Sequence, residues 1–174
     1  SRNGLASIYA MINRNKRSIA INLKHSEGQE LVKRLAAKAD VLLQNYRPGK
    51  MARLGLDYDS LKEHCPNLIY ASINGMGEVG PYAEQKTYDY VIQALSGILD
   101  VQGMTPMSMN PAEAPEDEES SRPPLQMVRS IIYDKVTALT AAQGITAALL
   151  ARERGAGGQH VQLSMLDAAV YFNW

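Results

Sequence analysis

Residues 41–74 read VLLQNYRPGKMARLGLDYDSLKEHCPNLIYASIN and contain two apolar runs separated by helical sequence. The first run, 41–45, has the length of a buried strand, and the second, 67–74, combines aliphatic and aromatic residues in the same way. Between them, 57–65 predicts a short helix that Pro66 ends. Strands joined through a helix pair in parallel with a right-handed crossover, so this stretch predicts an open α/β sheet.

The alternation of strands and helices extends on both sides of this stretch. Upstream, 18–23 alternates apolar and polar residues and predicts another strand, while 25–40 has helical spacing. Downstream, we predict helices over 87–99 and 134–154, then a strand running into a helix over 160–166. The fold class is therefore α/β, an open parallel sheet with helices on its faces, and such sheets bind ligands at the carboxyl ends of their strands.

The composition of the 174 residues is that of a globular chain, with 45% hydrophobic and 21% charged residues. Because 18 basic side chains balance 18 acidic ones, nothing indicates nucleic acid, and no uncharged apolar run suits a membrane span. The lone Cys65 cannot form an internal disulfide and is interpreted as a buried thiol, which fits the cytoplasm. The three histidines lack ligand spacing such as H-x-x-x-H, so we expect no metal site.

Residues 104–124 interrupt the pattern with Met, Pro, Ser and an acidic cluster. Such a composition buries little apolar area, so it predicts a solvated, flexible loop or lid in preference to a docking segment. The chain begins without Met and ends in sequence that reads as a helix, so we expect a fragment of a longer protein.

Residues 44–55 follow the first strand and carry Arg47, Lys50 and Arg53 at three-residue spacing, beside Tyr46. Guanidinium and ammonium groups neutralise phosphate, and a tyrosine ring stacks on a purine, so the cluster suits a nucleotide. A solvated turn punctuated by proline and glycine explains the composition about equally well. Only the position at the carboxyl end of a strand favours the nucleotide.

The glycines at 155–158 follow a helix with Arg152 and Arg154 in its last turn. Phosphate-binding loops run from strand through glycines to helix, which is the opposite order. A glycine that follows cations at a helix C-terminus is typical of a helix stop, and we predict one here.

Asp134 stands at the head of the alanine-rich helix. Aspartate is a preferred N-cap, stabilising a helix by about 0.5–2 kcal/mol relative to alanine. The same position, at the positive end of the helix dipole, would keep a carboxylate ionised as a nucleophile for an activated carbonyl. The residues alone leave both interpretations open, and Asp89, Asp100 and Asp167 also lie near predicted helix ends.

Taken together, these stretches resemble the class III CoA-transferase family (CaiB/BaiF type), which includes formyl-CoA transferase, carnitine CoA-transferase and alpha-methylacyl-CoA racemase. The similarity lies, in family order, in residues 13–58, 67–83, 88–98 and 134–170. It implies that residues 1–174 are the central part of a Rossmann-like large domain, without the family's N-terminal segment and its smaller C-terminal domain. It also implies an interlocked homodimer.

The same resemblance implies a reaction and a set of site residues. In the family, an aspartate accepts the acyl group of an acyl-CoA as an anhydride and then CoA as a thioester, which passes CoA to a carboxylic acid. Asp134 matches that aspartate. The positions that match CoA-contacting residues of the family are Asn45, Tyr46, Arg53 and Lys86. Coenzyme A is thus the expected substrate and product, and no metal is implied.

Two alternatives accompany this interpretation. The racemase branch needs a second proton-transfer group, a histidine at the position of Tyr88, and a neutral tyrosine with a reference pKa of about 10 is a poor base near pH 7. Transfer is therefore preferred over racemisation. The other alternative is a catalytically inactive fragment that binds CoA or associates with itself. None of these residues identifies the acyl donor or the acceptor.

Overall fold

A three-stranded parallel sheet is the centre of this computed structural model, which describes residues 6–103 and 125–174. The strands lie in the order β1 (Val41–Gln44), β2 (Ile69–Asn74) and β3 (Gln159–Ser164). In the middle strand, Ala71 lies beside Leu43 of β1 and Val161 of β3. The predicted open parallel sheet is confirmed, and its central strand pairs with sequence far along the chain.

Helices follow or precede every strand, as the alternating pattern predicts. In chain order they are α1 (Ser7–Ile12), α2 (Ser26–Ala36), α3 (Lys50–Arg53), α4 (Tyr58–Leu61), α5 (Asp89–Leu95), α6 (Ile98–Gly103), α7 (Ile132–Ala151) and α8 (Met165–Asn173). A π-helical turn, Arg152–Ala156, continues α7. None of the helices that the structure describes is long and apolar enough to cross a membrane.

Two apolar clusters hold the helices against the sheet. One cluster joins α2 and α4 to the sheet and buries Ala36, Leu61, Cys65, Leu68 and Tyr70. On the opposite face α7 lies so close to β3 that a Cβ on Gly144 would be 3.1 Å from Val161 Cγ1. The other cluster joins α5, α7 and α8 through Ile92, Tyr133 and Ala169. The start of α7 is therefore packed on two sides.

Two elements differ from the prediction. Residues 18–23 form no strand, because none of the described strands pairs with them, and Ile19 stays 64% exposed. The predicted helix 87–99 divides into α5 and α6 at Gly97, whose φ of 81° breaks the helical path. The loop predicted at 104–124 lies outside the described residues.

The helix stop predicted at 155–158 is confirmed. Gly155 has a φ of 94°, a left-handed conformation that ends the helical path. Just before it, Arg152 donates to Asp40 at 3.0 Å and to the Asn67 carbonyl at 3.2 Å, which ties the turn to the amino ends of β1 and β2. These glycines therefore lie at the sheet edge opposite the one where ligands bind.

Candidate active site

A cleft of about 750 Å³ opens where β1 and β2 end and α7 begins. Leu43 of β1 and Asn45 just after it line the cleft, and Ile73 and Asn74 line it from β2. The segment 83–89 and the first turns of α7 complete its walls. The cleft thus occupies the carboxyl edge of the sheet, the predicted place for a ligand.

The structure brings four of the predicted site residues into this cleft: Asn45, Tyr46, Lys86 and Asp134. Arg47, singled out by its charge, also lines the cleft. Arg53 does not line the cleft. It lies in α3 and turns back towards Gly49, where a Cβ would be 3.4 Å from Arg53 Nη1. Lys50 is likewise outside the lining.

The loop that presents Tyr46 is fixed by its own sequence. Gly49 has a φ of 74°, so the chain turns there into α3 without the strain that another side chain would bring. The side-chain oxygen of Gln44 accepts from the Tyr46 backbone N–H at 2.8 Å. The Tyr46 ring remains 47% exposed and offers an open aromatic face at the edge of the cleft.

Asp134 is the third residue of α7, not its N-cap. The N-cap position belongs to Ile131, which provides no side-chain hydrogen bond. The capping interpretation of Asp134 is therefore wrong, because the N-cap lies three residues before Asp134. Its carboxylate is free of helix capping and lines the cleft one helical turn from Thr137 and Ala138.

A second carboxylate caps the helix instead. Asp89 Oδ2 accepts from the backbone N–H groups of Tyr133 at 2.7 Å and Asp134 at 3.1 Å. Asp89 is the first residue of α5 and only 6% exposed. The sequence shows Asp89 near a helix end, but its partners lie 44 and 45 positions along the chain, so no local pattern connects them.

Burial is the main cause that raises the pKa of Asp134, and the nearby negative charge of Asp89 raises it further. Both effects act against the ionised form of the carboxylate that the helix dipole was predicted to favour. Two cations line the same cleft, Arg47 and Lys86, and they are the positive charges available to an anion bound there. A carboxylate with raised proton affinity is also a stronger nucleophile once ionised.

Aromatic side chains flank the segment that carries Lys86. Tyr88 lines the cleft, and its ring lies parallel to that of Tyr90, with centroids 5.7 Å apart and planes at 8°. Tyr88 is 59% exposed. No histidine is among the described residues that line the cleft.

A smaller cavity of about 270 Å³ lies on the other face of the sheet and shares Tyr46, Arg47, Pro48 and Asn74 with the cleft. At its floor, Ser72 Oγ accepts from Gln44 Nε2 at 3.1 Å and lies 2.8 Å from His160 Nε2. Burial lowers the pKa of His160. Within the described ranges no three histidine, cysteine or acidic side chains are grouped to hold a metal ion.

The sequence profile of the family described as "CoA-transferase family III" matches residues 1–173. The chain belongs to this family, as its resemblance indicates. The family assignment agrees with the sheet, the cleft at its carboxyl edge and the carboxylate at the start of α7.

Individual relatives are similar to the chain over more than nine-tenths of its length. A succinate–glutarate CoA-transferase of Agrobacterium fabrum is 38% identical over 162 residues, which are 93% of this chain and 36% of that protein. An acetyl-CoA:oxalate CoA-transferase of Acetobacter aceti is 37% identical over 164 residues, 94% of this chain and 38% of that protein. The crystal structure of a CaiB/BaiF family protein from Brucella suis has a TM-score of 0.76 and 38% identity, covering 91% of this chain and 38% of that one. The chain thus spans about a third of the length of its relatives.

Proposed function

We propose that the full-length protein transfers coenzyme A from an acyl-CoA thioester to a carboxylic acid, with Asp134 as the nucleophile. The observation that carries this proposal is the shared cleft. It combines a carboxylate free of capping with two cations, Arg47 and Lys86, and the exposed ring of Tyr46. Cations suit the phosphates of CoA, and the ring suits its purine.

The proposed chemistry begins when the Asp134 carboxylate attacks the thioester carbonyl. The C–S bond breaks, leaving an acyl-aspartyl anhydride and CoA thiolate. The thiolate attacks the aspartyl carbonyl and releases the donor acid, which forms an aspartyl-CoA thioester. The acceptor carboxylate then attacks the aspartyl carbonyl and displaces the thiolate, which leaves an anhydride between the acceptor and Asp134. The thiolate attacks the acceptor acyl carbon of this anhydride, which gives the new acyl-CoA and restores Asp134. Each step exchanges one acyl bond for another, so no external proton or redox reagent is needed.

Trapping tests the covalent step directly. Incubation of the full-length protein with acyl-CoA and hydroxylamine should convert Asp134 to its hydroxamate, which peptide mass mapping would locate. Borohydride should instead reduce the aspartyl-CoA thioester to the alcohol. Modification of another carboxylate, or none in a protein that exchanges thioesters, would contradict the assignment of Asp134.

Lys86→Ala should weaken CoA binding about 10- to 100-fold, because a hydrogen bond to a charged group contributes about 1.5–3 kcal/mol. The salt dependence of the dissociation constant should also become weaker. Isothermal titration with CoA at two ionic strengths measures both. The matched control is Lys50→Ala, which removes the same charge from the first residue of α3, outside the cleft lining. Equal losses in the two variants would show that only general charge matters.

Exchange of the substrate's α-hydrogen with solvent distinguishes racemisation from CoA transfer. A racemase exchanges the α-hydrogen of its acyl-CoA with deuterated solvent and needs no carboxylate acceptor. We expect no such exchange, because Tyr88 occupies the cleft where a second base would be needed. We further propose that the protein acts as a homodimer in the cytoplasm, which light scattering of the full-length protein and cell fractionation would test.

A further inference from the structure

Gln93 is a buried amide that connects three parts of the fold near the candidate nucleophile. It lies in α5, one turn after Asp89, and is 1% exposed. Its Nε2 donates to Asp89 Oδ1 at 2.6 Å and to the carbonyls of Val128 at 3.2 Å and Ser130 at 3.1 Å. Its Oε1 accepts from the Val128 backbone N–H at 2.9 Å. The two hydrogens of Nε2 are shared among these three oxygens, and in the flipped orientation Oε1 would face the same oxygens with no hydrogen to donate.

The two oxygens of Asp89 therefore have different partners. Oδ1 is held by Gln93, and Oδ2 accepts from the first turn of α7, including the Asp134 N–H. A carboxylate held on one side by a fixed donor has little freedom to rotate away from the helix on its other side. The chain of contacts runs from the 126–130 segment through Gln93 and Asp89 to the backbone of Asp134.

From this geometry we propose that Gln93 is a positioning residue for Asp134. It fixes the carboxylate of Asp89 as the cap of α7, and so leaves the side chain of Asp134 free to face the cleft. This inference rests on the proposed function of Asp134, to which it adds a residue that touches neither substrate nor reacting atoms. The charged side chains that line the cleft with Asp134 are Asp89, Arg47 and Lys86.

A purely structural role for Gln93 makes a different prediction. Loss of a buried hydrogen-bonded amide lowers stability wherever it occurs. A positioning role also changes the backbone at the start of α7 and the proton affinity of Asp134. Readouts at Asp134 therefore separate the two roles.

Gln93→Met retains the side-chain length and removes all four hydrogen bonds. In the full-length protein, we expect amide hydrogen exchange at Tyr133 and Asp134 to be at least tenfold faster. We also expect kcat for CoA transfer to fall about tenfold while KM for acyl-CoA changes less than twofold. The acid limb of the pH profile should move to lower pH, because a displaced Asp89 raises the proton affinity of Asp134 less.

The matched control is Ser96→Ala, one turn further along. Ser96 is buried and donates to the Tyr133 hydroxyl at 3.0 Å, so it also joins α5 to α7, but it does not touch Asp89. The control should lose stability and keep wild-type exchange at Asp134 and the wild-type pH profile. If Gln93→Met behaves like this control, Gln93 has no positioning role.

Gln93→Glu keeps the test decisive if the methionine variant does not fold. Its new carboxyl still accepts from the Val128 N–H, but donates to Asp89 only while the pair shares a proton, as neighbouring carboxylates do. Protection of the Asp134 amide should therefore fall as pH rises, unlike in the wild type. Protection equal to wild type at all pH values would overturn the proposal. If the wild type transfers no CoA, the proposed function fails. The hydrogen-exchange data would still show whether Gln93 holds the backbone of Asp134 through Asp89.

Discussion

Asp134→Asn is expected to lower CoA transfer by about 10³-fold or more, because the amide is no nucleophile for a thioester. Its size and shape are nearly unchanged, so CoA binding should stay close to wild type. Thioester exchange followed by chromatography, together with CoA titration, measures both. Hydroxylamine trapping should label no residue in this variant. Substantial turnover would require a different carboxylate and would overturn the proposed function.

The same substitution should increase stability at neutral pH. The pKa of Asp134 is raised by burial and by Asp89, so the folded state binds a proton more readily than the unfolded chain. Stability therefore falls as pH rises from the ordinary carboxyl range through the raised pKa, and is unaffected below it. Asp134→Asn removes this loss, so its unfolding midpoint should exceed that of the wild type at pH 7 and match it near pH 3. Equal midpoints at pH 7 would mean that Asp134 is not destabilised in the folded state.

Gly158→Ala should destabilise the fold by about 2–4 kcal/mol. A Cβ at this position would lie 2.6 Å from the Leu68 carbonyl oxygen and 2.7 Å from the Pro66 carbonyl oxygen. Both are backbone atoms at the start of β2, and the Gly158 N–H donates to that Pro66 oxygen at 2.8 Å. Neither can move without separating β3 from its neighbour. Urea unfolding of the two proteins gives the difference directly.

Gly155→Ala is the matched control in the same turn. A Cβ there meets no atom within 4 Å, but the φ of 94° is unfavourable for alanine. The expected loss is about 1 kcal/mol, from the backbone conformation alone. If the two variants lose similar stability, close packing of β3 on β2 is not what requires glycine at 158.

The repeating elements of this fold can be predicted because their causes are local. Apolar runs of strand length at 41–45 and 67–74, separated by a helix, required parallel pairing, and the structure has it. Residues 18–23 alternate apolar and polar side chains, which also predicts a strand, but they form none. An alternating pattern shows only that a segment could form a strand. A strand also needs a neighbouring strand to hydrogen-bond with, and the whole fold decides whether one lies beside it.

Some residues of the candidate site could likewise be predicted from the sequence, and others could not. Asn45 and Tyr46 follow a strand, so their place at the sheet edge could be derived from topology. Asp134 could be placed near a helix start, but the local sequence left capping and catalysis both open for its carboxylate. The actual cap, Asp89, acts across 44 residues. Gln93, which donates to Asp89 from one turn further along α5, also donates to carbonyls 35 and 37 residues away. Such contacts carry no periodic signal.

The order of the strands has a consequence for how the cleft assembles during folding. β1 and β2 pair across 28 residues, whereas β2 and β3 pair across 90, as in Ile69 with Gln159. Closing the longer loop costs more chain entropy, so the first pair should form before the second. The wall with Asn45 and Tyr46 would then exist before α7 docks. Pulse-labelling hydrogen exchange should show protection in β1 before β3, and Asp134, the proposed nucleophile, would be the last part of the site to take its place.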